Sequence, residues 1–181
     1  MNPLLSRLLV VVVSGLAMTL SGQTAITIPG LEVPITWQSM LVIVLPLVLP
    51  KWEACLGIAL FLIAGALGAP VFANGYGGFD VYLSPSGGYL IGFLLMAIAV
   101  ALLKPGLTRH HPLRPMWLFP TLHLGLSVFG MLWIQVMGYG DISLGKHFLP
   151  YLVGIIIKSF MAWGIFVVTR ILLSEYRKSN K

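Results

Sequence analysis

Lys158 lies in the middle of the apolar run FLPYLVGIIIKSFMAWGIF, residues 148–166. An ammonium group at the centre of a bilayer costs about 2.5 to 3.5 kcal/mol on insertion scales, so something must offset it. No acidic residue falls within a predicted helix centre: Glu53 is near one edge of its span, and the others lie in connecting segments or the C-terminal tail. Charged side chains inside membrane helices mostly face the bundle interior and mark substrate or ion paths. The partner this lysine calls for is an anion from outside the protein, such as a carboxylate. The alternative is an ammonium group bonded to buried main-chain carbonyls at a helix break.

Two further stretches hold polar groups at spacings suited to binding. GAPVFANGYGGFDVYLSPSGGYLIGF, residues 68–93, combines glycines at 75, 77, 78, 87 and 88 with Asn74, Tyr76, Tyr82, Ser86 and Tyr89. Glycines allow close approach of the backbone to a ligand, and the amide, hydroxyl and aromatic groups supply hydrogen bonds and stacking. Residues 73–88 therefore read as a binding loop rather than a connector. It is not a dinucleotide fingerprint, because no strand and helix of a βαβ unit surround it. In EVPITWQSM, residues 32–40, Thr36 reads equally as a helix cap after Pro34 or as a site residue. Gln38 enters a membrane helix and is expected to turn inward and pair.

The elements that must position these groups follow from composition. The 181 residues are 58% hydrophobic and 9% charged, with a mean hydropathy of +0.96. That balance defines an all-α integral membrane protein, since a barrel would show short alternating segments instead. Six spans are predicted at roughly 4–22, 36–50, 52–72, 86–103, 117–137 and 147–173. The second is short and carries Pro46 and Pro50, which predicts a kinked or partial span. The chain reads as one compact bundle of about six transmembrane helices, a single domain over 1–181, with a basic tail at 174–181. With the sixth helix starting near 147–150, Lys158 falls roughly 12 to 16 Å below its outer end.

Charge orients the bundle. With both termini cytoplasmic, the inner segments carry Arg7, Lys51, Lys104, Arg109, Arg114, Arg170, Arg177, Lys178 and Lys181, and only Lys146 falls outside. The net charge of +6 then reflects topology and contact with anionic lipid. Nucleic acid is not an expected partner, because aromatic residues do not interleave with the basic ones. Arg7 followed by Leu8–Leu20 also fits a signal peptide, but further spans follow, so a retained first helix is the simpler reading. The single Cys55 excludes an internal disulfide and reads as a packed helix position.

VPITWQ, GAPVFANGYGG, SPSGGYLIGF and, more loosely, LPYLVGIIIK resemble the successive signatures of the BioY family, the biotin-capturing S components of energy-coupling-factor (ECF) vitamin transporters. The resemblance spans about residues 30–160 and is strongest at 68–93. It implies a six-helix bundle in the cytoplasmic membrane of a prokaryote that takes biotin from outside, under the loop between spans three and four. Position by position, it makes Gln38, Asn74, Tyr82, Ser86, Tyr89 and Lys158 the substrate-binding residues. Biotin offers a ureido ring with donors and an acceptor, an apolar thiophane and a valerate carboxylate, which amides and hydroxyls, aromatics and an ammonium group can meet. The partners implied are an ECF scaffold subunit with two ATPase subunits, or a homo-oligomer for a solitary member. Three positions depart from the family pattern: around the expected Gly154, Val153 and Ile155 stand where Pro and Asp usually precede the lysine, and position 90 is Leu where some relatives place a basic residue. Small residues at Ser14, Gly15, Ala17 and Ser21 resemble the scaffold-packing face of the first helix, although generic helix packing explains them equally.

Other chemistries find less support. GYGD at 138–141 matches an intramembrane aspartyl protease pattern, but the only other Asp is Asp80, in a loop. His110, His111, His123 and His147 fall at different depths, and His123, without adjacent ligands, reads as a satisfied helix histidine rather than a metal site. No serine has a base at convincing spacing, and no phosphate-binding loop is present. The expectation is a non-catalytic biotin capture subunit, without a cofactor, whose uphill transport draws energy from a partner or an ion gradient. The alternatives are an S component for another small carboxylated heterocycle, and a membrane enzyme or assembly factor using the same pocket.

Overall fold

The computed structural model describes residues 2–109, 115–140 and 148–179. His110, His111, Arg114, Asp141, Lys146, His147 and Lys181 lie outside them, and so do the readings that rest on those residues. The fold is six helices: α1 (Pro3–Gln23), α2 (Gln38–Val48), α3 (Lys51–Ala66), α4 (Gly87–Arg109), α5 (Pro115–Val136) and α6 (Leu149–Ser179). Among the described residues the only β pairing is one isolated bridge, Ile26 with Ile35. By length and composition α1, α4, α5 and α6 are able to cross a membrane.

The two short helices explain the architecture. At 1.5 Å per residue α2 rises about 16 Å, roughly half of a hydrocarbon core of about 30 Å, and α3 about 24 Å. α2 is apolar and buried almost all round, the pattern of a central helix. Packed against α3, α4 and α6, it fills only one half of the bundle axis. The other half is left to the segment 24–37, which folds back as a narrow loop pinned by paired Ile26–Ile35 backbone hydrogen bonds of 2.9 Å. α3 ends six residues before its expected limit at 72. Gly68 takes a positive φ of 99°, and residues 67–86 cross above the shortened helices as two 3-10 turns, Ala73–Gly75 and Phe79–Leu83. In the other direction α6 runs past its expected end at 173, so the basic tail is helical through Ser179.

α1 packs on the outside of the bundle, mainly against α3. The two backbones approach so closely that a Cβ at Gly57 would collide with the Val11 carbonyl and the Ser14 side chain. The outward face of α1, with Leu5, Leu9, Leu16 and Leu20, stays exposed, as suits contact with acyl chains. At the end remote from the 67–86 loop, Arg7 pairs with Glu53 at 3.5 Å, Lys104 Nζ donates to the Leu49 carbonyl at 2.6 Å, and Arg170 lies over the Phe166 ring. This end carries a concentration of basic residues, as the charge pattern predicts for one membrane face.

Candidate binding cavity

The space above α2 is a cavity of about 500 Å³, within the 300 to 1,000 Å³ typical of small-molecule sites. Its walls come from the segments between the helices and from every helix except α1 and α3. Residues 27–39 give one side, the 72–86 loop gives the roof and mouth, and α4, α5 and α6 close the remainder. On α6, Tyr151, Ile155 and Lys158 face it at i, i+4 and i+7, one helical face. On α5, His123 and Ser127 do so at i and i+4.

The walls are held by their own hydrogen bonds. Gln38 is buried. Its Nε2 donates to the Met18 carbonyl at 3.1 Å, and its Oε1 accepts from Thr36 Oγ1 at 3.3 Å. The amide therefore joins the start of α2 to α1 beside Gly22, where a Cβ would clash with it. The Tyr151 hydroxyl donates to the Val33 carbonyl at 2.7 Å, fastening the 24–37 loop to α6. Hydrogen bonds that tie the roof include Gly78 N–H to Gly65 O at 2.7 Å, Gln23 Nε2 to Phe72 O at 3.3 Å, and Trp133 Nε1 to Ser84 O at 3.1 Å. Phe72, 2% exposed, plugs the roof into the core edge-on to Phe61 and Tyr82. Asn74 sits in the left-handed region at φ 57°, which asparagine tolerates, and this turns the backbone at the cavity mouth.

Five of the six predicted site residues, Gln38, Asn74, Ser86, Tyr89 and Lys158, line this one cavity; Tyr82 does not. The Tyr82 hydroxyl donates to the Leu62 carbonyl at 2.8 Å, and its ring stacks on Phe79. Tyr82 thus braces the roof against α3 from behind Phe72. Burial pushes its phenol up to about 12. Lys158 Nζ donates to Ser39 Oγ at 3.0 Å, nine residues or about 13 Å below the start of α6. Among the described residues its neighbours include no carboxylate partner: Glu53 pairs with Arg7, Glu175 pairs with Lys178, and Glu32 and Asp80 are exposed at the mouth.

Sequence reasoning passed over Ser39, Ser127, Tyr151 and His123. His123, expected to be satisfied within its helix, is 2% exposed. Its Nδ1 lies 3.0 Å from both the Phe119 carbonyl and Ser159 Oγ, while Nε2 has no partner. The signal was present: His123 and Ser127 form a polar pair one turn apart in the middle of a largely apolar span, and polar residues there face the bundle interior. The Tyr89 hydroxyl is likewise buried and unpaired, and its ring is set against Gly130 and near Tyr151. Two of the four buried polar atoms without partners among the described residues thus belong to cavity-lining side chains. Such atoms cost about 1 to 3 kcal/mol each until something pairs with them.

An apolar helical bundle with a partly open cavity at one end, walled mostly by apolar side chains with a few polar groups and one ammonium group among them, is a multi-pass membrane protein built to receive a small solute. The BioY family model matches residues 2–175. The chain belongs to the BioY family. It is 33% identical over 140 residues, 75% of either chain, to "Biotin transporter BioY2" of Lactococcus lactis subsp. cremoris. It is 45% identical over 78 residues to "Biotin transporter BioY" of Thermotoga maritima, a match that spans about half the length of that relative (46%) and 43% of this chain. Its fold superposes with a TM-score of 0.77 on the crystal structure of the S component for biotin from an ECF-type ABC transporter, at 23% identity and covering 96% of this chain and 93% of the other.

Proposed function

We propose that this chain is a biotin capture subunit of the cytoplasmic membrane, with the cavity mouth outward and both termini inside. Binding occurs under the 67–86 loop through Gln38, Asn74, Ser86, Tyr89 and Lys158, with Tyr82 supporting the loop. The observation that carries the reading is the convergence of these five side chains on one cavity, in a chain whose relatives are named biotin transporters. The cavity chemistry suits the molecule: amide and hydroxyl groups for the ureido ring, Phe72, Phe93 and Leu126 for the thiophane, and an ammonium group.

The protein performs no catalysis in this reading and needs no cofactor. It has no nucleotide-binding motif of its own, so uphill transport would draw on an ECF scaffold with ATPases, or on a homo-oligomer using an ion gradient. Radiolabelled biotin binding by the purified protein in detergent tests the proposal; saturable binding below micromolar concentration is expected. A folded protein that fails to bind there would reject it. Buried Ile155 beside the lysine favours as second reading another small carboxylated heterocycle, which a competition series against biotin would reveal.

A further inference from the structure

The face of α6 that lines the cavity is rich in donors and poor in acceptors. The Tyr151 hydroxyl gives its proton to the Val33 carbonyl, Ile155 is apolar, and an ammonium group such as that of Lys158 only donates. Across from it on α5 is His123, buried and part of the same wall. Its partners fix which ring nitrogen carries the proton. Nδ1 lies 3.0 Å from the Phe119 carbonyl, which can only accept, so the proton is on Nδ1. Ser159 Oγ, also 3.0 Å from Nδ1, takes a share of that proton as a second acceptor. Another proton on Nε2 would bury an imidazolium in the wall that already holds the Lys158 ammonium group. Neither group has an ion-pair partner among the described residues, so the ring is neutral. Nε2 is then an acceptor, buried and unpaired among the described residues.

The imidazole and the ammonium group serve different parts of a ligand. Lys158 and Ser159 are neighbours on α6, so their side chains leave the helix about 100° apart. Lys158 reaches α2 at Ser39, and Ser159 reaches α5 at His123.

Resting on the biotin reading, we propose that His123 is a specificity-determining residue, whose Nε2 accepts a hydrogen bond from a ring N–H of the ligand. In biotin that donor is one of the two ureido N–H groups, since the thioether carries no hydrogen and the carboxylate is ionised at neutral pH. The requirement holds for any other carboxylated heterocycle as well. A ring without an N–H leaves the buried lone pair unmatched in the complex, which weakens binding by about tenfold or more. Lipoate, a sulfur ring on the same valerate chain but with no N–H, is discriminated against on this ground.

The test titrates biotin and its two ureido N-methyl derivatives onto the detergent-solubilised wild type and His123→Phe. One of the two isomers lacks the selected donor. The substitution should weaken biotin about tenfold and leave that isomer within about threefold of its wild-type affinity, so that the gap between the two ligands narrows. The other isomer keeps the donor and should follow biotin. His123→Asn guards against misfolding: its amide N–H can replace Nδ1–H toward the Phe119 carbonyl, while nothing stands in the place of Nε2. The same pattern across the three ligands is expected. An equal loss for all three in both variants would make His123 structural, and undiminished biotin affinity would show that no ligand donor meets Nε2. Either result overturns the proposal and leaves the biotin reading intact. If the wild type itself does not bind biotin, both fall.

Discussion

Lys158→Met keeps the length of the side chain and removes its charge, and the structure fixes two opposite consequences. Without ligand, the substitution relieves an ammonium group that has no acidic partner among the described residues, worth about 2.5 to 3.5 kcal/mol at the centre of a membrane helix. It gives up the 3.0 Å bond to Ser39, worth about 1.5 kcal/mol for a charged donor. The ligand-free protein should therefore gain about 1 to 2 kcal/mol, an apparent Tm higher by about 2 to 8 °C for a chain of this size. With ligand the sign reverses. Removing one partner of a buried charge pair costs about 2 to 5 kcal/mol, or about 30-fold to several thousand-fold in Kd. Thermal unfolding and calorimetric titration of biotin on the same detergent-solubilised samples measure both. Ser39→Ala serves as control, expected to weaken binding by less than tenfold because the ammonium group remains. A Lys158→Met protein that is less stable without ligand and unchanged in affinity would refute the reasoning and assign the lysine to structure alone.

Gly130→Ala should force the Tyr89 ring from its place and weaken biotin binding about tenfold; combined with Tyr89→Ala it should cost nothing beyond Tyr89→Ala alone, a non-additivity that a binding cycle reads directly. Tyr82→Phe removes only the brace to Leu62, so stability should fall by about 0.5 to 1.5 kcal/mol with affinity changed less than threefold; a loss as large as that of Lys158→Met would place the hydroxyl in the site. Gln38→Leu unties α2 from Met18 and Thr36 and should lower thermal stability by about 1 to 3 kcal/mol, seen as a lower Tm both with and without biotin. Gly57→Leu drives a side chain into the α1 backbone and should cost about 1 to 3 kcal/mol or more by overpacking, while biotin bound by the surviving folded fraction keeps its affinity.

The number and order of helices were legible because apolar runs of this length have one stable form in a bilayer, where every backbone polar group must be satisfied locally. Their ends were legible only where chemistry punctuates them. Pro46 and Pro50 announced a short α2, and α2 is 11 residues long. Gly68 and Pro70 sat inside the third apolar run, which overshot because Val71 and Phe72 are as hydrophobic as helix. In the structure Phe72 is apolar for another reason: it plugs the roof into the core. Hydropathy reports burial and not conformation, so a buried loop residue reads as a continuing span.

The same limit governs the site. Lys158 and Gln38 were legible because a charge or an amide in an apolar helix has few tolerable positions. Tyr82 and Tyr89 were indistinguishable in sequence, seven residues apart in one glycine-rich stretch. What separates them is which carbonyl or ring lies opposite: Leu62 O takes the hydroxyl of Tyr82, and Gly130 makes room for Tyr89 beside the cavity. His123 was passed over because histidine within a span is readily satisfied by its own helix, as Nδ1 is by Phe119 O. A helix can occupy only one of the two ring nitrogens in that way. The second must find its partner across the bundle, and here the cavity lies across it.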